Sequence, residues 1–222
     1  MSIRTDVSTE TTDPFCLSPE QSAELLRPGP WQRLAVMGDS FAAGVGSSCP
    51  GYAEQSWPER VESALRATRP DLAYLNTGTA GARTRQVLDE QLQQVLAFDP
   101  DLVNVAAGGN DLLTAEPDLD GVEADLDTIY RALTRRQAQI FAFTVVNVFD
   151  NPAMAVLRER VMALNDRIRT VAARYDATLV EMWDHPVRTA PDLIGIDGVH
   201  FSMHGHAVLA AEIVKSLSGR TA

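Results

Sequence analysis

The 222-residue chain is predicted to be an α/β protein of three layers, helices on both faces of a five-stranded, mainly parallel sheet. Three observations predict it. Short apolar runs alternate with longer stretches of helical period, the signature of strand–helix–strand crossovers. The runs are apolar almost without interruption, as strands covered on both faces are. Two of the intervening stretches, Leu119-Val122-Leu126-Ile129-Leu133 and Leu157-Val161-Leu164-Ile168-Val171, repeat apolar residues at spacings of three and four, so each is an amphipathic helix lying on a sheet.

The elements follow in order. Met1 to Asp13 is rich in Thr, Ser and acids, and is expected to be a flexible tail on which catalysis does not depend. The rest, 14–222, is expected to be one domain. Ser18 caps a short helix with Pro19 in its first turn, which runs to Leu26 before Pro28, Gly29 and Pro30 stop it. Strands are predicted at 34–37, 72–75, 102–106, 140–146 and 178–180. Helices are predicted at 58–67 and 84–97, over the two amphipathic stretches, and at 205–217 with Leu209, Ile213 and Leu217 on one face.

Composition excludes several function classes. With 19 Lys+Arg against 30 Asp+Glu the net charge is −11, and no basic run reverses that sign, so nucleic acid is not an expected partner. No stretch approaches the ~20 apolar residues of a membrane span. The N-terminus has neither the basic start nor the apolar centre of a secretory signal, so the expected location is the cytoplasm. Cys16 and Cys49 are the only cysteines, and no Cys-x-x-Cys pair exists to hold zinc; neither a metal nor another cofactor is expected.

In an open parallel sheet, ligands bind beyond the carboxyl ends of the strands, so reactive residues just after a strand are the candidates. Four blocks meet that condition. Gly38-Asp39-Ser40-Phe41 follows the first strand. Asn76 to Arg83, a small-residue loop with Gly78 and Gly81, follows the second and can offer backbone N–H groups to an anion. Gly108-Gly109-Asn110-Asp111 follows the third and brings a side-chain amide. Asp197-Gly198-Val199-His200 precedes the last helix, at a spacing that lets the carboxylate reach the imidazole. Singly, each residue is as well explained by a cap or a turn. Together they place a nucleophile, a base with its own acid, and N–H donors on one edge of one sheet.

In order and spacing these blocks resemble the SGNH hydrolases, the GDSL-type esterases and lipases, from about the first strand to the last helix. The resemblance implies a flavodoxin-like SGNH hydrolase fold, Ser40, Asp197 and His200 as the catalytic triad, and Ser40, Gly81 and Asn110 as the oxyanion hole, with Gly78 as a neighbour of Gly81 in the same loop. Phe41 stands where the family has Leu, and Phe201 where it often has Pro. The activity implied is hydrolysis of a small-molecule ester through an acyl-enzyme. An acyltransferase using the same site is the alternative, and a non-catalytic binding module a weaker one. A phospho-receiver domain would need a positioned Lys, yet Lys215 on the last helix is the only lysine.

Other residues carry weaker expectations. Arg83, beside Arg85, and Trp57, beside Tyr52, are candidate substrate contacts, each against a plain alternative of solvated face or packing. His200, His204 and His206 are not read as a metal cluster, because a helix starting near Gly205 would put His204 at its cap and His206 in its first turn. His185 is expected to be a solvated loop residue, Cys49 an unreactive thiol, and Asp111 the cap of the helix that follows it.

Overall fold

The structure is a computed structural model that describes residues 9–220. Five strands, β1 (Arg33–Gly38), β2 (Ala73–Asn76), β3 (Leu102–Ala106), β4 (Gln139–Phe143) and β5 (Thr178–Val180), pair in the order β2-β1-β3-β4-β5. Every pairing is parallel. The helices are α1 (Pro19–Leu26), α2 (Trp57–Arg66), α3 (Thr84–Gln86), α4 (Leu92–Phe98), α5 (Leu119–Thr134), α6 (Ala155–Arg174) and α7 (Met203–Ser218).

Period-two alternation along the strands divides the interior. Leu34 and Val36 of β1 and Phe141 of β4 enter a core with α1, α2 and α7, while Ala35, Met37, Ile140 and Ala142 enter a second core with α4, α5 and α6. The sheet is thus the middle of three layers. Among the described residues no helix is long and apolar enough to cross a membrane.

Several element boundaries differ from the sequence reading by a residue or more, and three of the differences have a plain local reason. The fourth strand stops at Phe143 rather than at 146, because buried Asn165 of α6 takes both the N–H and the carbonyl of Val145, at 2.8 and 2.9 Å. The last helix starts at Met203, where Ser202 caps it by accepting from the N–H of His204 and Gly205. The third predicted helix is broken by a π-helical stretch, Val87–Gln91, which turns Gln91 inward. The expected tail also needs correction. Residues 1–8 lie outside the described residues, but 9–13 are tied down: Glu10 pairs with Arg60 and accepts the N–H of Ala53, and the carboxylate of Asp13 is buried.

In the order β2-β1-β3 the sheet grows to one side of β1 and then to the other, so the crevice between the loops after β1 and β3 is where such a sheet binds ligands. Ser40 leaves β1 and Asn110 leaves β3.

Candidate functional site

The nucleophile block is built on one backbone constraint. Gly38 has φ of +142°, and a β-carbon there would lie 1.9 Å from the carbonyl oxygen of Ala106, so only glycine fits. Gln91 fixes the same peptide from the other side, accepting from the Gly38 N–H and donating to its carbonyl, both at 2.8 Å. The sequence reading missed this amide; its one visible signal is a glutamine on the buried side of a helical pattern.

From that anchor the chain turns through Asp39, whose Oδ1 accepts the N–H of Phe41 at 2.9 Å, and delivers Ser40. Ser40 Oγ lies 2.8 Å from His200 Nε2, and His200 Nδ1 lies 2.7 Å from Asp197 Oδ2. Asp197 Oδ1 also accepts the backbone N–H of Val199 and of His200, at 2.9 and 3.0 Å. The hydrogen bond from His200, reinforced by those two N–H groups, holds the Asp197 carboxyl down at about 2. It therefore remains an anion through the working range of an imidazole. Burial has the opposite effect on Asp39, pushed up to about 6 despite the Phe41 N–H and the facing His200.

The second and third blocks are joined to the first and to each other. The N–H of Thr79 donates to the Gly38 carbonyl at 3.0 Å, and Asn76 Nδ2 donates to the Ala42 carbonyl at 2.8 Å. Asn110 Nδ2 donates to the Ala82 carbonyl at 3.0 Å, which uses one of its two N–H groups and fixes the amide beside Gly81. The two glycines of the loop differ. A β-carbon on Gly78 would meet the backbone of Ala43 at 2.4 Å, so Gly78 is a packing glycine; Gly81 has φ of +81° with open space where a β-carbon would be. Among the described residues, the N–H groups of Ser40 and Gly81 donate to no protein acceptor.

Other candidates move. Trp57 is no substrate wall: it is fully buried, donates from Nε1 to the Phe41 carbonyl at 2.8 Å, and packs edge-on against Phe141 and Phe143. Its role is to back the nucleophile loop from within. Tyr52 is likewise buried, stacked on His204. Arg83 is exposed beside the site, whereas Arg85 is engaged by Asp125 at 2.8 Å. Asp111 caps not the helix that follows it but α3, accepting from Thr84 N–H and Oγ1 at 3.0 and 2.9 Å. That contact ties the third block to the second.

The three clustered histidines each have separate partners. His204 faces Asp192 and Asp13. His206 accepts the Trp57 N–H on Nδ1 and faces the Val45 carbonyl with Nε2, both at 3.2 Å, and burial pushes it down to about 4. His185 is tucked in rather than solvated, accepting the Val187 N–H and meeting Phe15 edge-on, and burial lowers it too. Cys49 is buried beside Asp192, and burial first and that carboxylate second raise its thiol.

Comparison with known proteins agrees with this geometry. Among solved structures, an α/β hydrolase called LAE5, from the metagenome of Lake Arreo, superposes with a TM-score of 0.70 at 21% identity, over 86% of this chain and 96% of that one. The acetylxylan esterase Axe2 of Geobacillus stearothermophilus does so with a TM-score of 0.69 at 22% identity, over 84% and 94%. These likenesses concern the fold. An arylesterase of Vibrio mimicus is 32% identical over 103 residues, 46% of each chain, so the match spans less than half of that relative. The model of the GDSL-like lipase/acylhydrolase family matches residues 36–208, from β1 through the Ser40, Gly81, Asn110 and His200 blocks into α7. With that span matched, and with the serine and histidine blocks hydrogen-bonded to each other, the chain belongs to the GDSL-like lipase/acylhydrolase family.

Proposed function

We propose that this protein hydrolyses a small-molecule ester through an acyl-enzyme on Ser40. One observation carries the reading: the unbroken line Ser40 Oγ, His200 Nε2, His200 Nδ1, Asp197 Oδ2, with its two links at 2.8 and 2.7 Å. Asp197 accepts at Nδ1, which leaves the lone pair of the neutral ring on Nε2, facing the hydroxyl.

His200 takes the Ser40 proton as Oγ attacks the acyl carbon. The carbonyl π electrons move to oxygen, and the oxyanion meets the free N–H groups of Ser40 and Gly81 and the second N–H of Asn110. Collapse expels the alkoxide, which leaves with the proton from His200, and Ser40 retains the acyl group. Water, deprotonated by the same ring, attacks the acyl carbon; the second tetrahedral species expels Ser40, which regains its proton.

Ser40 itself is only 6% exposed, while the His200 side chain is 21% and the Asp197 side chain 51% exposed, so solvent reaches the base side of the line and access alone does not choose between water and a bound acceptor. Hydrolysis is preferred because the matching family and the named relatives are acylhydrolases and esterases. Arg83 is the cation placed to meet an acid on the substrate. The relatives named arylesterase and acetylxylan esterase make aryl acetates and acetylated sugars the first substrates to try.

The test is turnover of a p-nitrophenyl ester series, phenyl acetate and an acetylated xylo-oligosaccharide by wild type and Ser40→Ala, with mass spectrometry after a serine-directed phosphonate. Turnover and one adduct on Ser40, both absent from the variant, are expected. Labelling without hydrolysis would turn the reading to acyl transfer, and neither labelling nor turnover would leave a binding module.

A further inference from the structure

The serine–histidine line stands on a loop whose other end is held by a second, buried aspartate–histidine arrangement. Residues 192–202 fold back on themselves: Ile194 and Phe201 form an antiparallel bridge, the Gly195 N–H donates to the His200 carbonyl at 2.8 Å, and the Ser202 N–H donates to the Leu193 carbonyl at 3.0 Å. Asp197 and His200 sit at the tip, between exposed Ile196 and Val199. Asp192 is the foot. Its Oδ1 faces His204 Nδ1 at 2.8 Å, and its carbonyl accepts from Ser202 Oγ.

The foot is tied to two further segments through His204. Nε2 of that ring lies 2.9 Å from Asp13 Oδ2, close enough to pair though off the line of a hydrogen bond. Tyr52 stacks on the ring, centroids 4.6 Å apart, and its hydroxyl donates to the same Asp13 oxygen at 2.8 Å. The Asp13 and His204 side chains are only 4% and 6% exposed. Burying these charge-bearing groups is costly compared with apolar packing of the same volume, so what the arrangement contributes is a fixed geometry. It joins the N-terminal segment, the loop around Tyr52, the foot of the 192–202 loop and the first turn of α7. Leu193 and Phe201 anchor the two arms of the loop in the core, Ser47 bridges to Ser202, and Phe41 lies against His200, while the tip side chains from Ile196 to Val199 face solvent. The Asp192 foot is thus one of several ties on the loop, and the one made through the N-terminal segment.

We propose that Asp13 and His204 are positioning residues that hold the Asp192 foot and thereby set the distance of His200 and Asp197 from Ser40. On this view the N-terminal segment, which the sequence reading set apart from catalysis, is required for it. The proposal rests on the acyl-enzyme reading for its kinetic half only. Reacting groups misplaced by about 1 Å lose on the order of 100-fold in rate, so release of the foot is read in turnover rather than in substrate affinity.

The test compares wild type with Asp13→Asn, Asp13→Ala and His204→Gln in the full chain. Turnover is expressed per mole of folded protein, taken from the near-UV circular dichroism of each variant, so that loss of folded protein does not count. Both Asp13 variants and His204→Gln are expected to lose about 10- to 100-fold in kcat with KM changed less than about threefold. Asp13→Ala added to His200→Ala should cost nothing further, because the tie acts through that ring. Hydrogen exchange supplies a readout independent of activity: amides of 193–201 should exchange faster in Asp13→Asn while those of β3 do not. Unchanged exchange at 193–201, an unchanged kcat per mole of folded protein, or an undiminished Asp13 effect without His200 would each overturn the proposal. A wild type inactive on every ester would instead defeat the acyl-enzyme reading, and the exchange comparison would still decide whether Asp13 holds the loop.

Discussion

Two histidines four residues apart each face an aspartate at nearly the same distance, and their surroundings make them different chemical objects. His200 Nδ1 lies 2.7 Å from Asp197 and His204 Nδ1 lies 2.8 Å from Asp192. The difference is on the far side of each ring. His200 Nε2 meets a hydroxyl, Ser40 Oγ, whose proton it can take; His204 Nε2 meets a second carboxylate, Asp13, and stands under the ring of Tyr52. A His–Asp pair becomes a general base when its free nitrogen faces a proton donor and water reaches it. His204 instead lies buried between a half-exposed carboxylate, Asp192, and a buried one, Asp13, with no proton donor facing it among the described residues, and on our proposal the pair is a fastener.

The sharpest way to break that comparison is to remove the proton-transfer line on one side of it. Ser40→Ala and His200→Ala should each lower kcat by about 10,000-fold or more, with residual hydrolysis left to the oxyanion donors and binding. Single-turnover kinetics on the best p-nitrophenyl ester checks this. A His200→Ala enzyme within tenfold of wild type would make the two histidines equivalent and the comparison empty.

Next in size is the donor side. Asn110→Ala removes the amide whose first N–H is fixed on Ala82, and should cost about 100- to 1,000-fold in kcat with little change in KM. Gly81→Ala should have a smaller effect, for its strained φ rather than for a clash, because nothing lies where the β-carbon would go. Steady-state kinetics separates the two. If Asn110→Ala raised KM and left kcat alone, the amide would bind ground-state substrate instead of the oxyanion.

Much of this was legible in the sequence, because the site is made of short blocks that each follow a strand, and strand-sized apolar runs are the strongest signal a parallel sheet gives. The blocks around Ser40, Asn110 and His200 stood out by position, and the structure brings Ser40, His200 and Asp197 into hydrogen-bonding distance, while the choice of Gly81 over Gly78 came from the family resemblance and not from position. What could not be read was long-range. Gln91 reaches the Gly38 peptide only because a π-helical turn swings it inward, and no helical periodicity marks such a turn. Trp57 looked available for substrate because its loop follows the nucleophile, yet its ring lies in the core against Phe141 and Phe143. The attachment of 9–13 was hidden for the reason that it rests on two acids, Glu10 and Asp13, finding partners far along the chain. Composition sees such a segment as a tail.

Acid sensitivity sharpens the contrast between the exposed and the buried histidines. His206 is buried and pushed down to about 4, whereas the ring of an unfolded chain titrates near ~6.5. Between those values the unfolded state binds more protons, so this group's contribution to stability is complete above about 6.5 and is lost as pH falls towards 4. The loss amounts to about 3 kcal/mol across that window. His206→Gln can still accept from the Trp57 N–H and donate to the Val45 carbonyl, so it should unfold with a shallower pH dependence. Urea midpoints at pH 7.5 and 4.5 measure it, and parallel slopes for the two proteins would place the acid sensitivity elsewhere.

Asp39 should show the opposite sign, and with a smaller effect. Its carboxyl is pushed up to about 6 by burial, so from about 4 to 6 the folded state binds more protons than the unfolded one, and stability falls as pH rises through that range. Asp39→Asn keeps an acceptor for the Phe41 N–H and removes the charge. It should be slightly less stable than wild type near pH 4, because the new amide N–H groups are buried without a partner, and more stable above pH 6 by ~1–2 kcal/mol, the titration difference less that cost. On the proposed mechanism the gain would come with a cost to function, since the carboxylate that burial penalises precedes Ser40 in the chain and its charge interacts favourably with a protonated His200. Stability and kcat measured together across pH 4 to 8 decide the matter. A variant stabilised above pH 6 but slower would show that Asp39 is retained for the site and not for the fold, while one stabilised with full activity would leave the buried charge without a catalytic reason.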